Sequence, residues 1–110
     1  MTLPKISVQF EASREPLWKR APVRDAEGRA LSDLMVLIPG LREQPQLLID
    51  RAIQNIHLVL TRFNHVVVFA EFNLKLNLLW VSLKPINGIR LEIAGAIQEL
   101  VPEARLVSHI

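Results

Sequence analysis

Residues 64–85, NHVVVFAEFNLKLNLLWVSLKP, carry apolar side chains on both of the faces that a β-strand presents. Successive strand residues point to opposite sides. Val66, Val68, Ala70 and Phe72 therefore share one side, and Val67 and Phe69 the other. Farther on, Leu79, Val81 and Leu83 face one way while Leu78 and Trp80 face the other. A small sheet needs only one face for its own core. This stretch thus calls for a helical layer on one side and a second cover on the other.

The flanking segments supply the layers. KISVQFEA alternates Ile6, Val8 and Phe10 against Ser7, Gln9 and Glu11, the period-2 pattern of a half-buried strand. Residues 13–30 follow with Pro16, Pro22 and Gly28 and no sustained period, which predicts a long loop or arm. LSDLMVLIPG is a short apolar run closed by Pro39 and Gly40, a buried strand by length and flanks. From Pro45 the period becomes helical. Leu48, Ala52, Ile56, Val59 and Phe63, with Ile49, Ile53 and Leu60, make one stripe ending near Asn64.

Val66–Phe72 and Leu78–Lys84 predict a hairpin, with its turn within NLKLN. Asn87 is placed as the N-cap of a second helix, with Ile86 and Leu91 as a hydrophobic staple. Ile89, Ile93, Ala96, Ile97 and Leu100 form that helix's stripe, Pro102 ends it, and ARLVSHI supplies a last strand. The two helices also match one another. LLIDRAIQNI from Leu47 and LEIAGAIQEL from Leu91 align at a constant offset of 44, pairing Ile49 with Ile93 and Ala52 with Ala96.

Two successive βαβ units predict an α+β fold of ferredoxin-like βαββαβ plan. Residues 31–110 form that domain, an antiparallel four-stranded sheet with two helices on one face. Residues 1–30 add an N-terminal strand and a basic, Pro-containing arm. Over residues 31–110 the plan resembles, in topology only, amino-acid-binding ACT domains and the cytoplasmic domains of cation-efflux transporters. The Pro-Gly turn in IPGL is similar to one common in ACT domains, but Leu37 and Ile38 stand where that family carries an acidic residue.

With both helices on one face, the other face is left open. By strict alternation it carries Met35, Leu37, Val67, Phe69, Leu78 and Trp80. Leaving such side chains in water forfeits about 1.5–3 kcal/mol each, and an apolar patch of that size marks an interface. A two-fold homodimer needs only one self-complementary patch, so the expected cover is a second copy, with the N-terminal strand adding to a sheet edge.

Composition narrows the functional classes. Half the residues are hydrophobic and 22% are charged, as in an ordered globular domain. The absence of cysteine removes disulfides, thiolate metal sites and cysteine nucleophiles. The N-terminal segment has no apolar signal region and no run approaches a membrane span, so a cytoplasmic protein is expected. Net charge is +2, and the basic excess lies in residues 1–30.

No Gly-rich phosphate loop, nucleophile elbow or metal-binding helix motif is present. His57, His65 and His109 have no i, i+4 pairing, so no metal and no cofactor are assigned. KPINGIR places Lys84 and Arg90 around a helix start with Asn87 and Gly88, a combination suited to a phosphate or carboxylate. In the arm, Trp18 lies beside Lys19 and Arg20, which fits a packing anchor or a nucleic-acid contact. Glu71, Asn73, Lys75 and Asn77 alternate as a solvated polar edge. The expected function is a non-catalytic dimeric module for assembly, regulation or anion binding. The alternatives are a small dimeric barrel enzyme, with Trp80 and Asn73 or Asn77 in an apolar pocket, and nucleic-acid binding through the arm.

Overall fold

The computed structural model describes residues 5–9, by their backbone, and residues 21–107. In chain order the elements are β1 (Lys5–Gln9), β2 (Ser32–Leu37), a 3-10 turn (Leu41–Glu43), α1 (Gln46–Arg62), β3 (Val67–Asn73), β4 (Leu78–Leu83), α2 (Ile89–Leu100) and β5 (Arg105–Val107). The sheet order is β1-β3-β4-β2-β5. β2, β3, β4 and β5 pair antiparallel throughout, whereas β1 runs parallel to β3 at one edge. A four-stranded antiparallel sheet with two helices is consistent with the ferredoxin-like plan.

One core joins the sheet to both helices. Leu34, Val36, Ala70, Phe72, Leu79, Val81 and Leu83 from the strands meet Ile49, Ile56, Val59 and Leu60 of α1 and Ile89, Ile93, Ala94 and Ile97 of α2. The helical stripes shift slightly from expectation. Leu48 is 42% and Leu100 43% exposed, so neither belongs to the buried stripe, while Ala94 does. The matched helices share their burial as well, since Leu47 and Leu91 are both exposed and Ile49 and Ile93 both buried.

Alternation fails at one point of the sheet. Val67 lies opposite Leu83, yet Phe69 lies opposite Ser82, so Val68 is an extra residue in β3. A β-bulge of this kind sets two residues against one and breaks the period of 2. Val67 therefore joins Leu83 in the core and does not share the face of Phe69. Its assignment to the open face is corrected on that ground.

The β3–β4 turn is held by two asparagines. Asn73 Oδ1 accepts from the Leu76 amide at 3.1 Å. Asn77 sits in the left-handed region at φ 54, which asparagine tolerates better than most residues. Its carbonyl accepts from the Ile38 amide at 2.8 Å, and its Oδ1 accepts from the Arg42 amide at 2.8 Å. Asn77 thus ties the hairpin to the segment that follows β2, and it is not simply part of a solvated edge. Asn77→Ala should cost about 1–2 kcal/mol, combining the strained φ with the lost side-chain bond. Asn77→Gly relieves the φ and should cost less. Urea unfolding of both variants checks this, and equal losses would show that backbone strain contributes nothing.

Candidate functional site

The sheet face away from the helices is defined by cross-strand pairs. Met35 lies opposite Trp80 and Leu37 opposite Leu78, while on the other side of Trp80 lies Glu71. Met35 also faces Val107 of β5. Met35, Leu37, Leu78, Trp80 and Val107 are half-buried. Phe69 differs from them, being only 8% exposed. The part of this apolar face that remains accessible is therefore its β4–β2–β5 half.

Two polar groups are buried on the same face. Glu71 is 5% and Ser82 1% exposed. The Trp80 Nε1–H donates to Ser82 Oγ at 3.1 Å, which fixes the indole over β4. Alternation counted Glu71 among solvated edge residues and passed over Ser82. Ser82 shares the parity of Trp80 within β4, which the sequence shows, whereas Glu71 is set opposite Trp80 by the register between strands.

Beside Trp80 the chain entering β2 folds back on itself. Arg24 and Ala30 form an antiparallel bridge, and the Leu31 amide donates to the Val23 carbonyl at 2.9 Å. Asp25 organises the tip. Its Oδ1 accepts from the Arg29 amide at 2.9 Å and the Glu27 amide at 3.0 Å, and its Oδ2 from Arg29 Nε at 3.1 Å. The Arg29 amide bond, then the Arg29 charge and the Glu27 amide, hold the carboxyl below the usual aspartate range against an opposing desolvation. A lowered folded value means that the loop's support from this carboxylate is present above the unfolded value of ~3.9 and is lost as the pH falls through the folded one. Between this loop and the sheet lies a cleft of about 390 Å³, lined by Ala21, Pro22, Val23, Leu31, Ser32, Asp33, Trp80 and Ser82.

At the other predicted site, the start of α2, Gly88 and not Asn87 is the N-cap, with φ 76 and no side-chain cap bond. Ile86 and Leu91 stand 50% and 71% exposed. With Gly88 as N-cap the staple positions pass to Asn87 and Glu92, neither of them apolar, so no staple closes this helix. A shallow hollow of about 200 Å³ brings together Asn87 and Arg90 with Ser32, Pro85, Ile86 and Ile89. Lys84 and Gly88 are not among its lining residues. Arg90 Nε is fully buried and has no hydrogen-bond partner among the described residues.

The arm contacts Trp18, Lys19 and Arg20, like His109, lie outside the described residues. Among the described residues, no three His, Asp or Glu side chains converge as a metal-binding group, and no helix is long and apolar enough to cross a membrane. Compared with family profiles, curated proteins and solved structures, the chain matches none of them.

Proposed function

We propose that the protein is a small, non-catalytic binding module of ferredoxin-like plan that assembles as a two-fold homodimer through the open face of its sheet. The observation that carries this reading is the pair of cross-strand contacts Met35–Trp80 and Leu37–Leu78, left half-buried on the side away from the helices. Completing the burial of each such side chain gains a part of the roughly 1.5–3 kcal/mol that full burial is worth. A two-fold axis over the β4–β2–β5 half completes it with a single self-complementary patch. Sedimentation velocity over a concentration series tests the assembly. The expected species has twice the 12.5 kDa chain mass, and a protein that stays at the chain mass at high concentration refutes it.

A second reading, anion binding at the start of α2, is favoured by the buried Arg90 Nε, which has no hydrogen-bond partner among the described residues. An unsatisfied buried donor is costly, and a phosphate or carboxylate held by Arg90 and the first amides of α2 would engage it. Losing one charge-assisted partner costs roughly 1.5–3 kcal/mol of affinity. Arg90→Ala should therefore weaken binding at least about tenfold without unfolding the domain. A thermal-shift screen of phosphate, nucleotides and organic acids measures it. If no anion raises the melting temperature, or if Arg90→Ala leaves the shift unchanged, the site is a plain helix start.

A further inference from the structure

We infer that Asn87 is a self-modifying site: its side chain cyclises onto the Gly88 amide, and the acid formed on hydrolysis becomes the partner of Arg90. The chain has five asparagines, and only Asn87 is followed by glycine, the others by Ile56, His65, Leu74 and Leu78. A side chain on the following residue shields its amide from use as a nucleophile. The structure separates the same asparagine from the rest. Asn55 donates to the Leu100 carbonyl at 3.4 Å, Asn73 and Asn77 accept from the Leu76 and Arg42 amides, and Asn64 also has a partner. Asn87 is exposed, and its side chain makes no hydrogen bond among the described residues.

The attacking atom is free as well. The Ile89 amide donates to the Ile86 carbonyl at 3.1 Å, which makes Asn87 and Gly88 the central pair of a turn. Gly88, at φ 76 and ψ -5, fits the third position of a type II turn. Its own amide donates to no carbonyl among the described residues, and open space lies where a Cβ would stand. Glycine accepts either orientation of the central peptide, so that peptide can rotate until its nitrogen meets Asn87 Cγ. The N–Cγ bond forms as the Cγ–Nδ2 bond breaks, and the Gly88 amide proton leaves with the side-chain nitrogen as ammonia. Water then opens the cyclic imide at either carbonyl, giving aspartate or isoaspartate with no oxidant or reductant involved. The new carboxylate stands in the hollow that Asn87 and Arg90 both line. Arg90 Nε, buried there with no hydrogen-bond partner among the described residues, is satisfied by a charge-assisted bond to it.

The test is peptide mapping by mass spectrometry of the full chain held in mildly alkaline buffer, folded and, in parallel, unfolded in urea. Conversion should occur at Asn87 alone, with both acid isomers formed. A turn with no fixed side chain and no bonded amide opens at almost no cost, so the folded protein should convert as fast as the unfolded chain. Folding that slows conversion about tenfold or more, ~1.4 kcal/mol of added barrier, or earlier conversion at another asparagine, would overturn the site. The Arg90 pairing is read by thermal unfolding. Asn87→Asp should melt above the wild type, and the same substitution beside Arg90→Ala should lose that gain. No gain, or an equal gain in both backgrounds from the helix dipole alone, would overturn the pairing. Neither measurement uses an added anion, so the outcome is independent of anion binding at the start of α2.

Discussion

Replacing Trp80 with glutamate is expected to turn the proposed homodimer into a folded monomer. Trp80 lies outside the core cluster and is half-buried in the single chain, so a glutamate there keeps access to water until a second copy closes over it. On association the same carboxylate would be desolvated without a partner, at a cost of several kcal/mol. Within its own chain it would also stand opposite Glu71, a like-charge pair that lowers the folded monomer's stability by roughly 0.2–1 kcal/mol without bearing on association. Losing an aromatic anchor from the centre of an interface costs about 2–4 kcal/mol, so the dissociation constant should rise at least about thirtyfold. Leu37→Glu, in the adjacent pair, should act in the same direction. Sedimentation of both variants alongside circular dichroism decides the matter. Folded variants with the wild type's association constant would remove the sheet face from the interface.

Val67→Asp should have the opposite character, destabilising the fold itself rather than the sheet-face contact. Val67 is 4% exposed and lies in the core beside Leu83. An aspartate there is an unpaired buried charge, costing several kcal/mol against a total stability of about 5–15 kcal/mol for a domain. Burial would raise its pKa, so the variant's folded state should gain as the pH falls toward 5 and lose as it rises to 8. Met35→Asp, on the other face, serves as the comparison and should stay folded. Urea unfolding at the two pH values is the measurement. A Val67→Asp variant with wild-type stability would show that β3 follows plain alternation without the bulge at Val68.

The α+β class and the order of the described elements could be read from contiguous residues. The stripe Ile49, Ala52, Ile56, Val59 and Leu60 is a property of one segment, and so is the alternation through β4. Such periods are local, because a helix or strand repeats within its own chain. Most of the candidate dimer face was legible for the same reason, since Met35, Leu37, Leu78 and Trp80 keep the parity of their own strands. What depended on a second segment was not legible. Val67 changes sides because its register partner is Leu83, and a one-residue shift in pairing reverses every side chain beyond it. Asn77 is a turn residue by composition, yet its Oδ1 caps the amide of Arg42, 35 positions away. Gly88 displaces Asn87 as N-cap because the chain leaving β4 enters α2 through a left-handed residue, a conformation glycine adopts at no steric cost. Glu71 and Ser82 are polar residues at apolar parity, and only the packed sheet determines that both are buried. Period belongs to the chain, but register and cover belong to contacts between segments, and these form only when the whole sheet is assembled.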